Sequence, residues 1–244
     1  MIRVDNIVKY YGEHLALKGI SYTINKGEIV GFLGPNGAGK STMMRIITGY
    51  LPATSGFVYL DDYEIYDNPI ELKRKIGYMP ENISLYTEMT VIDYLKFAAK
   101  LKGISRKHIK SALENTIEIT GLTKYKDRII GHLSKGYKQR TGIAQAIIHD
   151  PEVLILDEPT SGLDPNQLIE VRSLIKSLGG TRTVILSTHI LSEVEDTCER
   201  ALIIDNGELI AEDTIEGLKT AMDREILGGN IELKVAGKVE DALI

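Results

Sequence analysis

Cysteine is almost missing from this chain. Cys198 stands alone among 244 residues, so no intrachain disulfide can form, and a reducing compartment suits it. Its expected role is that of a small packed side chain. Long apolar runs are missing too. None approaches the roughly 20 residues that cross a bilayer, so any business with a membrane is expected to go through a partner. The opening Met1-Ile2-Arg3-Val4-Asp5 lacks the charged-then-apolar layout of a signal peptide, which predicts a cytoplasmic chain. Nor is there a basic excess. The formal charge of −5 and pI near 5.6 argue against a surface that coats nucleic acid, and no such partner is expected. We find no internal repeat and no low-complexity segment. What remains is core material: 43% hydrophobic and 26% charged residues suffice for one large domain, or one domain with a lobe.

The most informative stretch is Gly34-Pro35-Asn36-Gly37-Ala38-Gly39-Lys40-Ser41-Thr42, which fits the phosphate-binding P-loop pattern at every required position. The apolar run Glu28 to Leu33 before it reads as a buried strand, and Thr42 to Ile47 after it as the opening of a helix. Glycines let backbone N–H groups turn inward around phosphate oxygens, where a side chain would block the approach. The helix adds its positive N-terminal end. Lys40 can reach the β- and γ-phosphates, and the Ser41 hydroxyl can ligate Mg²⁺. The bare pattern arises by chance in only roughly one chain in a hundred of this length, and the flanking strand and helix make it a nucleotide site.

Residues 1 to about 30 alternate β-like runs with turn signals and predict an antiparallel sheet leading into the P-loop strand. Phe57 to Leu60 reads as another short strand. From Ile83 to Leu133 the pattern becomes helical. Val91, Tyr94, Leu95, Ala98 and Leu101 fall on one face behind a Thr90–Asp93 capping box. A second helix runs from Ser105 to Thr120, with Ile109, Ala112, Thr116 and Ile119 on one side and Gly121 as a C′ glycine. These stripes predict a helical lobe. From Pro151 onward, strands at 153–156, 183–186 and 201–204 alternate with helices near 166–178 and 192–199, which implies parallel strands with crossover helices.

Val153-Leu154-Ile155-Leu156-Asp157-Glu158 is the second constellation. Four consecutive apolar residues predict a strand buried on both faces, and two carboxylates follow at its C-terminal end, where open α/β sheets bind ligands. Asp157 is placed to hold Mg²⁺ and Glu158 to polarise an attacking water. The fold expected is therefore α/β: a P-loop NTPase with a mostly parallel core sheet, an N-terminal antiparallel β subdomain and an inserted helical lobe at about residues 83–133.

In this order the motifs resemble the nucleotide-binding subunits of ABC transporters over residues 1 to about 220. Leu133-Ser134-Lys135-Gly136-Tyr137 stands where the family's signature belongs, Ser161-Gly162-Leu163-Asp164 is similar to its D-loop, and His189 follows Ser187-Thr188 as the switch histidine does. Tyr11, before Gly12, matches the aromatic that stacks on adenine. The resemblance implies ATP and Mg²⁺ as ligands. It further implies head-to-tail closure of two ATPase subunits, with Ser134 and the Gly136 N–H binding the opposite subunit's γ-phosphate. Glu158 would then serve as general base, with His189 holding the phosphate and the water. It also implies a separate integral membrane permease and a peripheral place on the cytoplasmic face of the membrane. Soluble relatives acting on ribosomes or DNA usually carry two cassettes or a long coiled-coil insertion, and this chain has neither.

Two motifs depart from the family pattern. Lys135 replaces the first signature glycine and Tyr137 the usual glutamine, while Glu81 stands where a glutamine would help to order Mg²⁺ or water. Such a glutamate with a Leu-Ser-Lys-Gly signature resembles the exporter branch whose ATPase is a separate polypeptide. Within it, residues 133–167 look most similar to gliding-motility and multidrug-export subunits. Residues 82–90, with Leu85, Tyr86 and Met89 as exposed apolar anchors, are the expected docking surface for the permease. The tail 221–244 reads as a C-terminal extension with a strand at Ile231 to Val235, expected either to be truncated or to pair with the partner subunit.

Overall fold

The structure is a computed structural model, and it describes residues 1–220 apart from Asn68 and Lys219. The expected strand at Ile231–Val235 lies outside the described residues.

The chain opens with β1 (Ile2–Tyr11) and β2 (His14–Ile24), an antiparallel hairpin. β3 (Ile29–Leu33) then passes through the glycine-rich loop into α1 (Lys40–Ile47). β4 (Ser55–Leu60) and β5 (Tyr63–Glu64) return to the hairpin and complete an antiparallel sheet of order β2-β1-β4-β5. Alternation explains it: Ile2, Val4, Ile20, Tyr22, Val58 and Leu60 point into the core between solvent-facing neighbours.

α2 (Pro69–Arg74) leads to β6 (Ile76–Met79), after which the chain leaves the sheet for α3 (Val91–Leu101) and α4 (Arg106–Ile119). It returns through α5 (Lys135–Ile147), β7 (Val153–Asp157) and α6 (Pro165–Leu178). β8 (Thr183–Thr188), α7 (Leu191–Thr197), β9 (Arg200–Asp205) and β10 (Glu208–Thr214) follow. The second sheet has the order β10-β9-β3-β8-β7-β6. Its five inner pairings are not all alike: β9-β3-β8-β7-β6 are parallel throughout, whereas β10 is antiparallel to β9. The β9–β10 turn is Asn206-Gly207, both at positive φ (46° and 80°), the pair that a tight hairpin favours. That strand is absent from the sequence-based expectation although its turn dipeptide is plain.

β7 is buried at every position, as predicted. Val153 and Ile155 pack into the cluster that holds α1 and the antiparallel sheet, while Leu154 and Leu156 pack against α5 and α6 on the opposite face. By the same period of two, Asp157 continues the α1 face. The parallel sheet thus delivers its strand ends to the start of α1.

The lobe has a core of its own, centred on Val91, Leu95, Ile109, Leu113, Ile117 and Leu122. Thr90 caps α3, accepting from the Asp93 N–H at 3.2 Å. The stripes turn slightly from those expected. Leu101 is 71% exposed and Ile119 37%, and Leu113 and Ile117 take the inward positions on α4. Each misplaced residue lies at a helix end, where the face is no longer opposed by a neighbouring helix. Gly121 does take the left-handed C′ conformation (φ 66°).

Candidate functional site

The glycine-rich loop is shaped by what presses on it. A Cβ at Gly34 would collide with the Ile204 carbonyl of β9. At Gly39, φ is 104° and a Cβ would stand 2.7 Å from Leu17 Cδ2, so only glycine fits. Among the described residues, the N–H groups of Gly37, Gly39, Lys40 and Ser41 have no main-chain acceptor and lie at the start of α1. Lys40 is 5% exposed and donates to the carbonyls of Gly34 (2.7 Å) and Pro35 (3.0 Å). A cavity of about 340 Å³ opens over the loop. Tyr11, Asn36, Gly37, Gly39, Lys40, Ser41, Thr42, Glu81 and Glu158 all line it, so β1, the loop, the segment after β6 and the end of β7 converge there. Ala38 is packed in the core beneath.

Glu158 lies at the centre of the charged groups. Its carboxylate is 3.6 Å from Lys40 Nζ and 3.0 Å from His189 Nδ1. Its backbone is left-handed (φ 50°), a conformation that costs a side-chain-bearing residue about 1 kcal/mol. Glu158 N–H donating to Ser187 O (3.0 Å) and Ser161 N–H donating to Glu158 O (3.2 Å) hold it there. Asp157, 1% exposed, carries an Oδ1 with no hydrogen-bond partner, and the Oγ of Ser187 beside it in register is likewise buried and unpartnered. Burial, and after it the Asp157 charge, pushes the Tyr78 hydroxyl up to about 12. Two orphaned oxygens facing the start of α1 are an arrangement to be completed by something bound.

Ser134 and Gly136 do not line this cavity. Ser134 is the N-cap of α5, and the Gly136 N–H donates to Gln167 Oε1 at 2.8 Å. Gln167 is set by Asp164, which caps α6 and accepts the Gln167 N–H at 2.9 Å. The D-loop and the signature segment are therefore stitched together. Lys135, in place of a glycine, lies against Gly162, where a Cβ would strike its Nζ. Tyr137 stacks on Tyr125 with ring centroids 3.8 Å apart. Of the three expected anchors only Tyr86 is exposed, at 54%, while Leu85 and Met89 are half-buried against the lobe core.

The sequence reading missed four contributors. Glu193, 1% exposed, accepts from Thr160 Oγ1 and Thr188 Oγ1, both at 2.7 Å, and so ties together the segments that carry Glu158 and His189. An acidic residue in the first turn of a helix was its only local signal, and that reads equally as a dipole partner. Gln167, three residues after a capping aspartate, was visible only as an N3 residue. His14 and Ala16 line the cavity opposite the loop with no local signal at all.

A glycine loop at a helix start, with a carboxylate pair at the end of a parallel strand two places along the same sheet, defines a P-loop nucleotide-hydrolysing protein. The comparisons narrow this. The family model described as ABC transporter matches residues 17–161. The linearmycin resistance ATP-binding protein LnrL of Bacillus subtilis is 40% identical over 100% of this chain and 78% of its own length. The bacitracin transport ATP-binding protein BcrA of Bacillus licheniformis is 39% identical over 90% and 71%. A dimeric ATP-binding cassette in a post-hydrolysis state bound to ADP and Pi superposes with a TM-score of 0.79 at 27% identity, covering 88% of this chain and 99% of that one. The chain belongs to the ABC transporter family as an ATP-binding subunit, and it is an ATPase.

Proposed function

We propose that this chain is the motor of an exporter: two copies close head to tail on ATP and drive a separate integral membrane permease from its cytoplasmic side. Relatives named for linearmycin resistance and bacitracin transport support the exporter reading, and the dimeric neighbour supports the closure. Among the described residues no helix is long and apolar enough to cross a membrane, which fits a permease on another polypeptide. We assign residues 1–220 to the ATPase domain and 221–244 to a C-terminal extension.

In this reading Tyr11 stacks on the adenine. The N–H groups of the loop from Gly34 to Thr42 cradle the phosphates, and Lys40 leaves its own carbonyls for the β- and γ-phosphate oxygens. Glu158 takes a proton from the attacking water, and His189, already hydrogen-bonded to it, orients that carboxylate. Ser134 and the Gly136 N–H receive the γ-phosphate of the opposite copy. Mg²⁺ fits the chemistry of Ser41 and Asp157, with Glu81 at the cavity wall, because the buried Asp157 Oδ1 has no other partner. When bound it would neutralise phosphate charge. Among the described residues no cluster of three or more His, Cys, Asp and Glu could hold a metal alone, as expected for a cation shared with a nucleotide.

The observation that carries the reading is Glu158 held between Lys40 and His189 beside an unpartnered Asp157. The test is the Glu158→Gln variant with ATP. It should sediment as a dimer and co-purify a polytopic membrane protein from detergent-solubilised native membranes. A monomer under saturating ATP, or ribosomes and soluble factors in place of a membrane protein, would refute it.

A further inference from the structure

The helical lobe is charged unlike the rest of the molecule. Residues 91–128 hold nine Lys and Arg against four Asp and Glu, net +5, while the remainder of the chain holds 20 against 30, net −10. The excess is concentrated over one feature, a groove of about 750 Å³ where α3 and α4 meet. Lys96 and Lys100 from α3 and Arg106 and Lys110 from α4 rim it. Its floor is apolar, made by Ile92, Ile109 and Leu113 among others. Asp93 is the one carboxylate in the lining, and it is engaged as acceptor from the Thr90 hydroxyl at 2.8 Å. Among the described residues Lys96, Lys100 and Arg106 form no ion pair, and Lys110 reaches only Glu114, at 3.9 Å. Leu101, the last residue of α3 and outside the groove lining, is 71% exposed and flanked in sequence by Lys100 and Lys102.

We propose that this face of the lobe rests on the anionic headgroups of the bilayer that carries the permease; the choice of bilayer rests on the exporter reading above. Charge complementarity demands an anionic occupant. Three of the four rim cations are lysines, compact point charges suited to many mobile phosphates more than to the carboxylate forks of one docked acidic peptide. Alkyl stems over an apolar floor, with ammonium heads outward, match the layout of an interfacial surface, and Leu101 adds an apolar contact with the acyl boundary. The charge asymmetry would also turn the lobe toward an anionic leaflet and the acidic remainder away from it. The groove begins at Ile92, close in sequence to the 82–90 segment expected to dock the permease.

The experiment is flotation of the full chain with phosphatidylcholine vesicles, with or without about 30% phosphatidylglycerol, at low and high salt. Wild type should float only with the anionic vesicles and detach at high salt. Neutralising Lys96, Lys100, Arg106 and Lys110 to Gln should weaken binding by about fivefold per cation removed. Equal binding to both vesicles, no binding to either, or undiminished binding by the fourfold variant would overturn the proposal. So would a fourfold variant that still floats but no longer co-purifies the permease, since the surface would then serve an acidic permease segment. ATP-driven dimerisation, measured in the Glu158→Gln background, separates the two readings. Absent binding to anionic vesicles by the chain with all four cations intact, with dimerisation preserved, refutes only this inference, whereas absent dimerisation refutes the motor assignment.

Discussion

The parallel sheet and the helical lobe solve different problems with the same chain. In the sheet, buried strands on both faces leave almost no freedom at their ends, so Asp157, Glu158 and His189 are held by backbone and by the buried Glu193. The lobe packs two amphipathic helices over a smaller core and spends its surface on cations. The first arrangement suits chemistry, which needs fixed geometry; the second suits contact with partners, which needs charge and apolar surface in reach. The two regions meet at the Gln167–Gly136 hydrogen bond and along the seam between β6 and α5.

The largest expected effect lies in the sheet. Glu158→Gln should lower ATP turnover by at least about a hundredfold, the usual scale for a lost general base, while nucleotide binding measured by fluorescence survives. Turnover within about threefold of wild type would remove the chemistry from the strand end and collapse the contrast. Next is Glu193→Ala, which strands two buried threonine hydroxyls. It should cost about 2–4 kcal/mol by urea melting and reduce kcat more than it raises KM. Glu193→Gln, which can still accept from one hydroxyl, should cost less; equal losses would show that Glu193 does not position the site.

Gln167→Ala probes the joint between the regions. Losing one hydrogen bond should speed hydrogen exchange at the Gly136 amide about fivefold, for about 1 kcal/mol, and leave ATP binding to the monomer unchanged. Unaltered exchange would mean that the lobe holds its signature without help from α6. The smallest effect concerns His149, whose Nε2–H donates to Ile76 O across the seam at 3.2 Å. Burial, and then the charge of Lys102 from the lobe, pushes its imidazole down to about 4 from an ordinary 6.5. The unfolded chain therefore takes up a proton first. The stability that His149 contributes is full above about pH 6.5 and is lost as pH falls toward 4. Between about pH 7 and pH 5 that loss should reach about 1 kcal/mol, allowing for its partial exposure. His149→Gln should flatten that slope in thermal melts, and an unchanged slope would place the titration elsewhere.

Much of this was legible in advance because the signals are local. The loop from Gly34 to Thr42 and the apolar run into Asp157 are read from the residue pattern alone, and the order of motifs through His189 from the family resemblance. The cap at Thr90, whose side chain bonds the N–H three residues on, is read from the pattern too, whereas the like cap at Asp164 emerged only from the structure. Residues 153–157 could only be a buried strand. The misses were of another kind. Leu101 and Ile119 kept helical periodicity, yet a helix end has no partner to cover it.

The sequence by itself determined that the chain holds a nucleotide site, since the glycine-rich cradle for phosphates is one contiguous loop feeding one helix. It also determined the class of fold, because strand and helix periods are written residue by residue. Only the tertiary structure decided that Glu193 braces both Thr160 and Thr188, that Gln167 engages the Gly136 N–H, and that four cations from two helices ring one groove. Thr160 and Glu193 lie 33 residues apart, and Gly136 and Gln167 lie 31 apart. Contacts of that span are set by how elements pack, and no local pattern encodes them.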